Sequence, residues 1–178
     1  RPHRIALVSH LNDCGLCSAN WVSFTLKPAG RHNDQSHTSY YESCKKEAIL
    51  YFDSFADSIA AFFDSFEERS FCIPESQGNR NGVVLASSTP WLQYAKSKFS
   101  IVTESDFGSG VGQQETRITE KTLKSIAAGH PFIVAGSAMT LAHLRELGLT
   151  TFTPWINEEY DKPGSKNERM LRICTSIL

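Results

Sequence analysis

Apolar positions along this chain change their period several times, and each change marks an element. The clearest run lies in residues 39–68, where Ala48, Phe52, Phe55, Ile59, Phe62 and Phe66 step by four and three. That spacing draws one stripe along a long helix or a bent pair of helices. Glu42, Asp53, Asp57, Asp64 and Glu67 fall elsewhere around the wheel. Such an aromatic stripe is a core face, with a partner-binding groove as the alternative. Ahead of it, Ile5, Leu7, Val8 and Leu11 predict a helix over residues 1–14, with Pro2 in its first turn and Gly15 as its stop. Residues 21–26 alternate apolar and polar and predict a strand. Residues 27–38, rich in Pro, Gly, Asn, Asp, Ser and His, predict a loop. Residues 70–85 read as loop around 77–82 with short extended pieces on either side. Residues 90–96 read as one short helix with Trp91 packed inward.

From Lys98 the pattern turns to alternating strand and helix. Residues 99–103 are a strand that ends in Glu104 and Ser105, and a polar, Gly-rich loop over 106–116 follows. In the next stretch, 117–136, Thr119 is a suitable N-cap, and Leu123, Ile126 and Ala127 fall on one helical face. Gly129 stops that helix and Pro131 prevents its return. Phe132-Ile-Val-Ala135, closed by Gly136, has the short apolar character of a strand covered on both faces. Residues 139–147 predict a further helix capped by Gly148, and 150–152 a short third strand. Ser165 and Glu168 form a capping box for a last helix carrying Met170, Leu171, Ile173, Cys174 and Ile177. Apolar strands alternating with helices predict a parallel sheet covered on both faces. The expected fold is therefore α/β: one Rossmann-like domain over residues 1–178, with a helical insertion over about 30–90.

Ligands of such sheets bind beyond the carboxyl ends of the strands. That gathers Glu104, Ser105, the Gly-rich loop and the 117–121 segment around one expected site. Lys121 stands in a first helical turn, where the helix dipole disfavours a cation by roughly 0.3–1 kcal/mol. A bound anion would offset this, since free N–H groups at a helix start attract phosphate. The plainer reading is a solvated lysine paired with a nearby carboxylate. Arg1, His3 and Arg4 crowd the start of the first helix in the same way, or form a solvated terminus.

Eighteen basic and nineteen acidic residues among 178 leave a net charge of −1, so no global field is expected to hold nucleic acid or an anionic membrane. No apolar run approaches the roughly 20 residues that span a bilayer. No signal peptide is visible, because Ile5–Val8 is too short. Five cysteines, an odd and scattered set, make no disulfide framework, so a reduced, cytoplasmic protein is expected. Cys14-Gly-Leu-Cys17 has CxxC spacing but no second pair to complete a zinc site, and it closes a helix where a redox dithiol opens one. His32 and His37, five apart, do not have the spacing of a helical metal pair. No metal or cofactor is expected.

The runs SKFSIVTES at 97–105 and RITEKTLKSIAAGHPFIVAG at 117–136 resemble the donor-binding half of the α1,3-fucosyltransferase-like glycosyltransferases. Those enzymes carry a strand ending in a Glu-Asn-Ser-like triplet, then a Tyr-x-Thr-Glu-Lys-like motif, a helix and a strand. The chain looks closer still to a group of marine phage and bacterial proteins with TEKT, IAAGHPFI and LRELGF-type runs. Here these read TEKT, IAAGHPFI and LRELGL, followed by Asn157-Glu-Glu-Tyr-Asp161, and the match covers roughly residues 90–170.

The resemblance implies the nucleotide-sugar half of a two-domain GT-B enzyme, with the acceptor domain and the first strand absent from this chain. Arg4, early in the first helix, stands in a similar place to a family arginine that contacts the donor pyrophosphate. Lys121, Arg4 and Arg117 are implied to stabilise charge on the departing phosphates without a metal. Thr119 belongs to the same motif. Glu120 is implied to hold the ribose hydroxyls, with an i, i+4 pair to Lys124 as its plainer role. Glu104 and Ser105 are implied to face the sugar or the diphosphate. The donor substrate is then a nucleoside-diphosphate sugar and the partner an acceptor glycan or protein. Ile118 stands where the family places an aromatic, and the helical insertion lengthens the separation of Arg4 from Glu120. The missing aromatic and the missing acceptor half support the alternative, a non-catalytic nucleotide-binding or assembly module that retains the fold, while the retained Thr119-Glu-Lys121 supports the enzyme.

Overall fold

The computed structural model, which describes residues 1–20, 22, 24–25, 34–65, 70–71, 91–108 and 116–178, is a mixed α/β structure in which helix predominates. It divides into two units, Arg1–Ser88 and Thr89–Leu178.

In the first unit, helix α1 (Pro2–Asp13) buries His3, Ile5, Ala6, Leu7, Val8, Ser9 and Leu11, positions on nearly every side of the wheel. A helix buried all round belongs at the centre of its unit. α1 packs against α3 (Asp34–Tyr51) and α4 (Ala56–Ser65), while the short α2 (Leu16–Ala19) follows Gly15, whose φ of +71° suits a residue without Cβ. The aromatic stripe is a bent pair of helices: the chain leaves helical geometry at Phe52 and makes one 3-10 turn, Asp53–Phe55, before α4. Ala48, Phe52, Phe55, Ile59 and Phe62 are all buried, so the stripe is a core face. Phe66 lies outside the described residues. Phe62 meets Phe24 and Phe63 edge-on, each at 5.9 Å between ring centres. β1 (Phe24–Thr25) and β2 (Ser70–Phe71) pair antiparallel, Phe24 opposite Phe71.

α3 starts at Asp34, inside the stretch expected to be loop. The breakers behind the loop expectation, Pro28 and Gly30, both precede Asp34; residues 34–38 contain neither Pro nor Gly, and nothing there blocks a helix. His37 falls in α3, and His32 lies outside the described residues.

The second unit opens with α5 (Trp91–Lys96), and here the expected inward face is reversed: Trp91 is 59% exposed and Gln93 is buried. The contacts made inside are those of Tyr94, whose ring meets His130 edge-on at 5.0 Å and whose hydroxyl lies 3.3 Å from Ser125 Oγ. β3 (Ser100–Thr103) and β4 (Phe132–Ala135) pair in parallel, Ser100 opposite Phe132 and Thr103 opposite Ala135. Backbone bonds from Ser100 N–H to Pro131 O and from Glu104 N–H to Ala135 O extend the ladder at both ends, each within 3.0 Å. β4 is buried at all four residues. α6 (Glu120–Ala127) connects the strands and packs on β3, and α8 (Lys166–Ile177) packs on β4.

The expected strand at 150–152 is not formed. Two side chains take the groups a third strand would use. Pro131 and Ala135 direct their carbonyls to β3, so Val134 faces the opposite edge, and there its N–H donates to the Tyr160 hydroxyl at 3.3 Å. In the 150–152 segment, Phe152 N–H and Thr151 Oγ1 both bond the Glu158 carboxylate, at 2.6 and 3.0 Å. α7 (Thr140–Glu146) ends as expected at Gly148, φ +82°. α8 begins with both contacts of the Ser165/Glu168 capping box.

Candidate functional site

The carboxyl ends of β3 and β4 carry Glu104-Ser105 and Gly136-Ser137, and the start of α6 lies against Glu104. Thr119 is the N-cap of α6 in extended conformation, its hydroxyl accepting from Lys121 N–H at 3.4 Å. Glu104 has no exposed surface. Its Oε1 accepts from Thr119 N–H at 3.0 Å and from the Thr122 hydroxyl at 2.6 Å, and its Oε2 from the Thr119 hydroxyl at 2.5 Å. Burial by itself would raise the Glu104 pKa. The bonds from Thr119 and Thr122, with the Lys121 charge nearby, outweigh burial and hold it below the usual carboxylate range.

The start of α6 thus already holds an anion, supplied by the chain itself. The same contacts explain a reversal in α6. Leu123 is 53% exposed and Ala127 is exposed, while the buried residues are Thr122 and Ser125. A polar face turns inward because Glu104 and Tyr94 offer it partners.

Gly136 makes room for this carboxylate. A Cβ there would stand 3.0 Å from Val134 Cγ1 and 3.2 and 3.3 Å from Glu104 Cβ and Cγ. No side chain fits between the strand end and the glutamate stem without displacing one of them.

The Lys121 ammonium donates to Thr119 Oγ1 at 3.1 Å and to Glu120 Oε1 at 2.9 Å. Its side chain is 34% exposed and that of Glu120 50%. The plainer expectation for Lys121, pairing with a nearby carboxylate, is what the geometry contains, and Glu120 pairs with Lys121 where Lys124 was expected. The Lys121 hydrogen bond holds the Glu120 carboxyl below its usual pKa. An ammonium has three N–H donors, so one remains beyond these two contacts. Arg117 and Asp106 face each other at 3.8 Å, the Arg117 side chain largely exposed and that of Asp106 half-buried, and Ser105 is partly buried. Glu104, Ser105, Arg117, Thr119, Glu120 and Lys121 therefore all belong to the second unit, and Arg4 belongs to α1 of the first.

A second polar cluster underlies this edge. The Asp161 carboxylate accepts from Leu141 and Ala142 N–H at 3.0 and 3.1 Å, capping α7 from twenty residues away. Burial pushes its pKa up against those bonds. Arg169 is fully buried in α8; its Nη1 donates to Gly108 O at 2.6 Å and its Nε to Tyr160 O at 3.3 Å, with the guanidinium 4.7 Å above the Phe107 ring. Burial lowers its pKa to about 10. Arg169 ties α8 to the chain just beyond β3. From the sequence Asp161 carries only its place at the end of the 157–161 run, and neither residue is assigned a role. Arg169 left one trace, an arginine four residues before Ile173 on the apolar stripe, whereas the Asp161 cap is non-local and left none.

At the opposite end of the strands, Ser97 Oγ lies 3.2 Å from His130 Nε2, the spacing of a nucleophile and its base. The serine has one proton, however, and donates it to Gln93 O at 2.7 Å. The imidazole must then donate to Ser97, so the pair is structural. Cys14 and Cys17 are both free thiols, Cys17 donating weakly to Val8 O at 3.8 Å. Among the described residues no group of three His, Cys, Asp or Glu side chains could hold a metal ion, and no helix is long and apolar enough to cross a membrane.

No protein-family model, curated protein or solved structure matches this chain.

Proposed function

We propose that the second unit binds a nucleoside diphosphate at the carboxyl edge of β3 and β4, and that the ligand is a nucleotide sugar serving as glycosyl donor for an acceptor glycan or protein. On this reading the unit is one half of a GT-B architecture with a Rossmann-like sheet. The carrying observation is the Lys121 ammonium, set at the start of α6 beside two parallel strands with a third N–H donor to spare. Cationic stabilisation of the departing diphosphate is what glycosyl transfer from such a donor requires. Lys121 and Arg117 meet the diphosphate, Glu120 takes the ribose hydroxyls with its outer oxygen, and Ser105 faces the sugar or diphosphate.

Thermal-shift titration with GDP-, UDP- and CDP-sugars tests this. A ligand held at a hundred times its Kd stabilises by about 2.7 kcal/mol, roughly 5–10 °C for a chain of this size. Lys121→Ala should abolish most of that shift without lowering the melting point of the free protein. If no nucleotide at millimolar concentration moves the melting point, the reading fails.

The alternative, a non-catalytic nucleotide-binding or assembly module, is favoured by a separate observation. The Glu104 carboxylate fills the helix start that a phosphate would otherwise use. No shift with any nucleotide at millimolar concentration is its expected outcome.

A further inference from the structure

We propose that Glu104 is a positioning residue that acts through Thr119 to fix the ammonium of Lys121 at the sheet's carboxyl edge. The consequence for ligand binding rests on the reading given under Proposed function; the positioning itself does not.

An ionised carboxylate only accepts hydrogen bonds. The Thr119 hydroxyl proton must therefore point to Glu104 Oε2, and the Thr119 N–H to Oε1, so the N-cap residue is gripped at two atoms. With its proton committed, Thr119 Oγ1 turns its lone pairs to Lys121. One meets the backbone N–H at 3.4 Å and the other the side-chain Nζ at 3.1 Å. The lysine side chain is thereby folded back over its own helix start, where Glu120 Oε1 takes a second N–H at 2.9 Å. A long side chain held in one rotamer before a ligand arrives loses less freedom on binding. Glu104 itself is sealed from solvent, and Gly136 closes directly over its stem. It reaches a ligand only through the residues it orients.

Three substitutions in the full chain separate this relay from ordinary helix capping. Thr119→Val removes the hydroxyl at nearly constant shape, Thr119→Ser restores it, and Glu104→Gln replaces the acceptor Oε2 by a donor. The readout is the acylation rate of Lys121 by a water-soluble succinimidyl ester, followed by peptide mass spectrometry. Lys124, on the same helix, is the internal reference, because fraying of α6 raises both rates together. A hydrogen bond of ordinary strength corresponds to roughly a fivefold change. The Lys121:Lys124 ratio should rise about fivefold in Thr119→Val and in Glu104→Gln, and return to the wild-type value in Thr119→Ser. Should Glu104→Gln fail to fold, the valine and serine variants decide alone. Equal ratios in wild type, Thr119→Val and Thr119→Ser would overturn the relay.

Inorganic pyrophosphate and GDP, titrated calorimetrically, supply the second arm. Thr119→Val should weaken both about fivefold, and Thr119→Val with Lys121→Ala should bind no worse than Lys121→Ala alone. If the wild type binds neither probe while the labelling ratio responds as expected, the positioning stands and the nucleotide reading falls. Additive losses in the double variant would overturn the claim that Thr119 acts through Lys121.

Discussion

Replacing Glu104 by Gln keeps the shape of a fully buried side chain and changes one atom from acceptor to donor. Oε1 can keep Thr119 N–H and the Thr122 hydroxyl. At the other position an amide nitrogen meets Thr119 Oγ1, which already accepts from Lys121 twice, and the threonine proton loses its acceptor. One hydrogen bond to a charged group is worth about 1.5–3 kcal/mol. The lost negative charge at the start of α6 adds up to about 1 kcal/mol. The variant should therefore be roughly 2–3 kcal/mol less stable at pH 7, a large share of the 5–15 kcal/mol typical of a domain.

The sign of the pH dependence follows from the depressed carboxyl pKa. Glu104 contributes its full stability above its unfolded value of about 4.3 and loses it as pH falls through its lower folded value. The gap between wild type and Glu104→Gln should thus be constant from pH 7 to about 5 and shrink below about 4. Urea unfolding followed by tryptophan fluorescence at several pH values measures the gap, with Trp91 and Trp155 reporting on the second unit. Exchange of the Thr119 amide gives a local check. Equal stability at pH 7, or a gap that persists unchanged into acid, would refute the argument that an ionised Glu104 holds α6.

The cap of α7 should behave in the opposite sense. Burial raises the Asp161 pKa, so the stability linked to its protonation is complete below its unfolded value of about 3.9 and is lost as pH rises through the folded value. Asp161→Asn should consequently cost less at pH 7 than at pH 4, read from the same urea series. Gly136→Ala should destabilise by about 1–3 kcal/mol, because its Cβ meets Glu104 and Val134 at 3.0–3.3 Å. Gly164→Ala, whose Cβ would meet the ends of the Glu168 and Arg172 side chains, should lower the melting temperature far less.

By itself the sequence determined the elements whose signals are local. Thr119 as N-cap, Gly129 and Gly148 as stops and the Ser165/Glu168 box involve residues within one or two turns of each other, and all are present. The stripe from Ala48 to Phe62 and the apolar run 132–135 were legible because period reports burial directly. The parallel pairing of β3 and β4 followed from a helix between two apolar runs. Tertiary structure decided which face of a short helix turns inward. In α5 and α6 the buried residues are Gln93, Thr122 and Ser125, with Trp91 and Leu123 left outside. Those helices are too short for an apolar stripe to outweigh a partner across the fold, and the partners of α6 are a glutamate eighteen residues before Thr122 and a tyrosine on another helix. The third strand failed for the same reason: Glu158 and Tyr160 satisfied backbone groups that a ladder would have used. Glu104 was picked out in the sequence by its place at a strand end. Its role as the buried anchor of Thr119 required the two segments to meet, because a hydrogen bond between distant residues leaves no periodic trace in the chain.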